Sequence, residues 1–300
     1  MTADPVVIEG LTKRFGRLVA VNRLSLRVPA GQVFGFLGLN GAGKTTTIRL
    51  LLDLLRPTSG RASILGHDCQ RDGLAARARI GYLPGDMRLY PDMTGGQVLR
   101  VLARLSGGAA DGAHREALLD RLSFAHADLD RTVREYSTGM RRKIGIVQAF
   151  QHDPDVLILD EPTEGLDPLV QEAFYSLIDD ARRRGRTVFM SSHVLSEVER
   201  VCDRIGILRQ GELVLDASVH DVRRLAPRAV RVTFARPVET PGSWPAGFAA
   251  LSVAPQRWEL KTTVEMGPLV AVLAGLPVVD LEIAERRLED VIIDYYRGRA

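Results

Sequence analysis

Cysteine is almost missing from this chain: Cys69 and Cys202 are the only two in 300 residues. Two isolated thiols make neither a metal cluster nor a disulfide framework, and they suit a reducing compartment. Lysine is scarce too, with Lys13, Lys44, Lys143 and Lys261 the only ones among 40 basic residues. Long hydrophobic runs are lacking, and no stretch approaches the roughly 20 unbroken apolar residues of a membrane span. The start, Met1-Thr2-Ala3-Asp4-Pro5, has no basic-then-apolar pattern, so a secretory leader is not expected. Neither sign of charge dominates: a net charge of +3 is too small to argue for a nucleic-acid partner. The basic run Arg182-Arg183-Arg184-Gly185-Arg186 is expected to close a helix and sit in water. No internal repeat and no low-complexity tract is found. A hydrophobic content of 45% fits one large globular domain plus a small one.

The most informative segment present is Gly38-Leu39-Asn40-Gly41-Ala42-Gly43-Lys44-Thr45, followed by Thr46. It matches the phosphate-binding loop G-x-x-x-x-G-K-[ST] at every fixed position. The glycines let the backbone wrap a triphosphate with its N–H groups inward. Lys44 supplies a compact cation for the β- and γ-phosphates, and the Thr45 hydroxyl is a ligand for Mg²⁺. Val33 to Leu37 reads as a buried strand before the loop. Thr46 to Leu55 reads as a helix after it, stopped by Pro57. In that arrangement the helix dipole and its unpaired N–H groups favour an anion.

Strand and helix patterns alternate from Val6 to about Ala217, which predicts an α/β domain with a largely parallel sheet. Strands are expected at Val6–Leu11, Val19–Val28, Ile80–Leu83, Val156–Leu159 and Thr187–Met190. Helices are expected at Gly95–Leu105, His114–Leu122, Gly139–Phe150 and Val194–Val201. A helical subdomain is expected over about 86–152. After Ala217 the prolines multiply, and Ser218 to Ala300 reads as a small α+β appendage ending in an amphipathic segment, Leu288 to Tyr296. Trp244 and Trp258 there are read as packing residues.

Val156-Leu157-Ile158-Leu159 runs into two carboxylates, Asp160 and Glu161. A buried parallel strand that ends in acids places them at the carboxyl edge of the sheet, where α/β proteins bind ligands. Asp160 is a candidate Mg²⁺ ligand and Glu161 a candidate general base for an attacking water. The competing reading is that the pair simply opens a loop, with Glu161 capping the next helix. His193 follows another apolar strand at the same edge and is a candidate partner for a γ-phosphate.

With these residues in hand the chain resembles the ATP-binding subunits of ATP-binding-cassette (ABC) transporters over roughly Val6 to Ala217. Tyr136-Ser137-Thr138-Gly139-Met140 stands where that family has its L-S-G-G-Q signature, and Asp167 in Glu164-Gly165-Leu166-Asp167-Pro168 matches its D-loop. Phe15 matches the aromatic residue that stacks on adenine. The resemblance implies a P-loop NTPase fold, ATP and Mg²⁺ as ligands, and catalysis by Glu161 and His193. It implies that Ser137 and Gly139 meet the γ-phosphate held by a second subunit, either another copy or a paralogous ATPase chain. It implies a multi-span membrane permease as partner and a place on the inner, cytoplasmic face of the membrane. The variant motifs and the appendage look like the exporter branch for drugs, antibiotics or lipids.

Two departures stand out. Gly85, then Asp86, occupies the place of the family's usual glutamine, and Thr138 and Met140 alter the signature. Asp86 is a possible substitute oxygen ligand. The run Arg141-Arg142-Lys143 reads equally as added positive potential near the phosphates or as a solvated helix face. Two other classes share these motifs: a soluble ABC ATPase acting on ribosomes or DNA, and a degenerate nucleotide-binding regulator.

Overall fold

The computed structural model describes residues 4–106, 112–284 and 288–297, so residues 1–3 of the N-terminal segment fall outside it. The chain divides into two compact units, Met1–Ala217 and Ser218–Ala300.

The first unit opens with strands β1 (Val6–Phe15) and β2 (Leu18–Val28), then β3 (Val33–Leu37), helix α1 (Lys44–Leu51), β4 (Ser59–Ile64) and β5 (His67–Asp68). It continues with α2 (Gly73–Arg77), β6 (Ile80–Leu83), α3 (Gly95–Leu105), α4 (Gly112–Arg121) and α5 (Thr138–Phe150). Then come β7 (Val156–Asp160), α6 (Pro168–Arg183), β8 (Thr187–Ser192), α7 (Leu195–Val201), β9 (Arg204–Arg209) and β10 (Glu212–Ser218).

Among the described residues these strands form two sheets, β2-β1-β4-β5 and β10-β9-β3-β8-β7-β6. The early strands therefore do not join the parallel sheet. In β2, Leu24, Leu26 and Val28 are buried while Arg23, Ser25 and Arg27 face out or sit at the rim. That period of two suits an antiparallel sheet with one covered face. In the second sheet β9, β3, β8, β7 and β6 run parallel. Every residue of β3, β7 and β8 is buried, as continuous apolar strands covered on both faces require. The loops leaving β3, β8, β7 and β6 consequently emerge side by side along one edge.

The helix after the glycine loop is shorter than its apolar pattern predicts, ending at Leu51 rather than Leu55. Asp53 takes φ 56°, and the N–H groups of Leu54 and Leu55 both turn back to the carbonyl of Arg49. Pro57 follows a helix that has already ended. Helix α3 carries a complete capping box, with Thr94 and Gln97 satisfying each other's backbone N–H groups. Helix α5 packs on β6, and Gly81 makes this possible: a Cβ there would sit 2.0 Å from the carbonyl oxygen of Ala149. The basic run that closes α6 is paired with aspartates, Arg182 with Asp203 and Arg186 with Asp153 and Asp155.

Both cysteines are buried. Burial pushes the Cys69 thiol up to about 12, and burial raises Cys202 further still.

The second unit contains α8 (Val219–Leu225), β11 (Arg228–Phe234), β12 (Phe248–Ala254), β13 (Arg257–Thr262), α9 (Gly267–Leu273), β14 (Val278–Ile283) and α10 (Leu288–Arg297). Its antiparallel sheet has the order β12-β13-β11-β14. Trp258 is fully buried at its centre, 4.5 Å from the ring of Phe234 and 5.2 Å from that of Trp244.

Candidate active site

The glycine loop spans the gap between the end of β3 and the start of α1. Gly43 is the residue before the helix, at φ 110°, and a Cβ there would sit 2.3 Å from the carbonyl oxygen of Ala20. No other residue fits that turn without moving its neighbour. The turn makes Lys44 the first helical residue. Its side chain is 7% exposed. Its Nζ donates to the carbonyl of Gly38 at 2.6 Å and lies 3.4 Å from Glu161 Oε1.

Phe15, Leu39, Asn40, Gly41, Ala42, Gly43, Lys44, Thr45, Thr46 and Glu161 line one cleft of about 600 Å³. Phe15 is 46% exposed at its rim, on β1, with Lys13 Nζ 5.0 Å from the ring centroid. A flat ring open on one face beside a loop of inward N–H groups suits a base and its phosphates. A second recess of about 600 Å³ adjoins it, where Thr45 meets Asp160, Glu161, Tyr82, Gly85 and Asp86. Burial, with the nearby Asp160 charge adding to it, raises the Tyr82 hydroxyl to about 12, so it stays protonated.

Asp160 ends β7 and is buried, and its Oδ1 accepts from Ser191 Oγ at 2.5 Å. The same hydroxyl oxygen accepts from the Glu161 N–H at 3.1 Å. The β7–β8 register sets Asp160 opposite Ser191, which is why one serine serves both residues. Glu161 takes φ 47°, in the left-handed region. For a non-glycine residue that costs on the order of 1–2 kcal/mol. The turn sends the carboxylate sideways between Lys44 and His193, whose Nδ1 lies 2.8 Å from Glu161 Oε2. Glu161 therefore does not cap the next helix; Asp167 does, accepting from the Val170 N–H at 3.0 Å. Among the described residues no group of three or more His, Cys, Asp or Glu side chains could cage a metal. Thr45 and Asp160 offer two oxygens beside the phosphate cleft, which suits a cation that is otherwise held by phosphates and water.

Ser137 and Gly139 lie elsewhere. Ser137 caps α5, accepting from the Met140 N–H at 3.2 Å. Neither residue, nor Asp167, lines the Lys44 cleft. Gly85 lies against the carboxylate of Asp160, 3.4 Å from where its Cβ would be. Asp86 faces out and pairs with Arg88 at 2.7 Å.

Sequence reasoning missed three supporting residues. Ser191 is hidden inside an apolar strand pattern, and only the strand register reveals it. Glu197 is buried in α7, accepts from Ser192 Oγ at 3.0 Å and from Thr163 Oγ1, and so braces the turn that carries His193. Its position four residues after His193 was the available signal. Arg142 corrects the reading of its basic run: it is 3% exposed and belongs to neither a solvated face nor the phosphate cleft.

A glycine loop with its lysine, a strand-end carboxylate pair and a histidine on one sheet edge define a P-loop ATPase cassette. The comparisons agree. The family described as ABC transporter matches residues 21–164. The bacitracin transport ATP-binding protein BcrA of Enterococcus faecalis is 36% identical over 217 residues, covering 72% of this chain and 70% of that protein. The Nod factor export ATP-binding protein I of Burkholderia lata is 38% identical over 222 residues, 73% of each. The daunorubicin resistance ATP-binding protein DrrA3 of Streptomyces coeruleorubidus is 36% identical over 225 residues, 74% of this chain and 71% of that one. A solved ATP-binding subunit of an ABC transporter superposes with a TM-score of 0.68 at 30% identity, over 73% of this chain and 92% of that one. The chain belongs to the ATP-binding subunits of the ABC transporter family, and it binds and hydrolyses ATP.

Proposed function

We propose that this ATPase powers export of a drug-, antibiotic- or lipid-like molecule through a separate multi-span membrane permease. The observation that carries the reading is the likeness, over about three quarters of the chain, to ATP-binding subunits named for bacitracin transport, Nod factor export and daunorubicin resistance. No helix among the described residues is long and apolar enough to cross a membrane, which is consistent with a chain that works against another protein's membrane spans. The proposed location is the cytoplasmic face of the membrane, with residues 85–106 meeting the permease. Residues 1–217 form the ATPase domain, with its helical subdomain over about 86–152, and 218–300 an accessory domain.

In this reading Phe15 stacks on the adenine, and the loop from Gly38 to Thr46 holds the phosphates. Thr45 and Asp160 hold Mg²⁺, which supplies charge neutralisation at the phosphates when bound. Glu161 takes the proton of the attacking water, and His193 contacts the γ-phosphate. Ser137, Gly139 and Asp167 act on the phosphates of a second copy or a paralogous chain, since they lie outside the chain's own cleft. Two chains close over ATP and open once the γ-phosphate is cut, a two-state element of the kind that can drive a permease.

The test is isolation of the chain from membranes in mild detergent, together with size measurement of the Glu161→Gln variant in Mg-ATP. Recovery of a multi-span permease and formation of an ATP-dependent dimer are expected. A solitary chain under both conditions sinks the proposal.

A further inference from the structure

Arg142, the fifth residue of α5, carries a charge with no obvious use. It is nearly fully buried, and its hydrogen bonds among the described residues all go to backbone carbonyls. Nε donates to Pro162 at 2.9 Å. Nη1 donates to Pro84 at 2.7 Å and Gly85 at 3.1 Å. Nη2 donates to Asp160 at 3.1 Å and to Glu161. A guanidinium has five N–H groups in a fixed fork, and here each has its own carbonyl. Burial pulls the guanidinium below its ordinary value, while the charges of Glu164, Asp160 and Glu161 hold it up.

The five carbonyls belong to two loops. Three lie in the turn Asp160-Glu161-Pro162, where Glu161 sits in the left-handed region. Two lie at Pro84 and Gly85, at the end of the neighbouring strand β6. Gly85 has no side chain to reach the site, and its carbonyl and that of Pro84 are the two groups through which the loop is tied to Arg142. One side chain on α5 thus fastens both loops at once.

We propose that Arg142 is a positioning residue for hydrolysis: it holds the Glu161 turn in its left-handed conformation and ties that turn, with the loop at Gly85, to helix α5. A displacement of α5 then moves the Glu161 carboxylate relative to Lys44 and His193. The inference rests on Glu161 acting as the base, as proposed above.

The test uses three full-length variants. Arg142→Lys keeps the charge but has three donors for five carbonyls. It is expected to lower kcat about 10- to 100-fold, the cost of a small misplacement of a reacting group, with KM for Mg-ATP within about twofold. Arg142→Met, which keeps bulk without donors, is expected to lose more. Placed on Glu161→Gln, the lysine change is expected to cause no further loss, because the group it positions is already disabled. Wild-type kcat in Arg142→Lys overturns the inference. So does an undiminished second loss on the Glu161→Gln background. So does an Arg142→Lys chain that fails to fold or to bind nucleotide, which makes the arginine a general determinant of the fold. Glu161→Gln at the wild-type rate, by contrast, removes the base assignment without any change at position 142.

Discussion

His193 Nδ1 lies 2.8 Å from Glu161 Oε2, so the N–H of the ring donates to the carboxylate. The contact fixes both groups at once: it sets the imidazole tautomer and aims one carboxylate oxygen away from Lys44, which approaches the other. Removing either partner should therefore affect chemistry more than binding. Glu161→Gln is expected to slow hydrolysis by roughly 10²- to 10⁴-fold while ATP affinity is kept. His193→Ala is expected to lose turnover with affinity largely unchanged. Single-turnover hydrolysis and equilibrium nucleotide binding on the same preparations check both.

Lys44 is a buried cation that donates to the Gly38 carbonyl of the loop. Lys44→Ala is expected to weaken ATP binding by about 1.5–3 kcal/mol, the range for a hydrogen bond to a charged group. Titration with a fluorescent ATP analogue measures it, and unchanged affinity would remove Lys44 from the phosphate site.

Ser191→Ala leaves one oxygen of the buried Asp160 and the Glu161 N–H without their partner. A loss of about 1–3 kcal/mol of stability is expected. The Mg²⁺ concentration for half-maximal activity should also rise, since Asp160 is no longer held in one orientation. Thermal unfolding and a magnesium titration of ATPase activity report the two effects separately.

Gly43→Ala forces a side chain into the left-handed region at a point where Cβ meets the Ala20 carbonyl. The backbone cost alone is about 1–2 kcal/mol, and the collision displaces the loop. A lower unfolding temperature and a larger loss of nucleotide affinity are expected. A variant that binds ATP normally contradicts the geometry of the turn.

His152 gives the fold an acid-sensitive point. Its Nε2–H donates to the Ile80 carbonyl at 3.2 Å, while Nδ1 is buried without a partner among the described residues. Burial holds the imidazole below its ordinary value. The unfolded chain takes up a proton below about pH 6.5 and the folded chain does so only at lower pH. Stability is therefore full above about pH 6.5 and falls with acidification until the folded-state value is passed. Denaturant midpoints against pH should show this slope in the wild type and a shallower one in His152→Gln.

Much of the site was legible because its residue types are dictated locally. The glycine loop, the strand ahead of it and the acids ending Val156–Asp160 each follow from short-range pattern. What escaped the sequence depends on neighbours in space. Ser191 matters only because β8 lies beside β7 in one register. Arg142 reads as one of three cations that either face solvent or add potential near the phosphates, until α5 is laid on β6 beside the Pro84 and Glu161 turns. The early end of α1 is set by a left-handed Asp53; aspartate visits that conformation more readily than most residues, but the apolar pattern running on to Leu55 masks the stop. The separation of β1 and β2 into their own sheet was not read from the sequence, because it depends on their pairing with each other and with β4.

The two sequestered thiols have a practical corollary. Held in the protonated form and out of solvent, Cys69 and Cys202 give alkylating reagents almost nothing to attack. A single cysteine introduced on the surface would thus be the one reactive sulfur on the native background. Spin or fluorophore pairs could then report subunit approach without prior removal of the wild-type sulfhydryls.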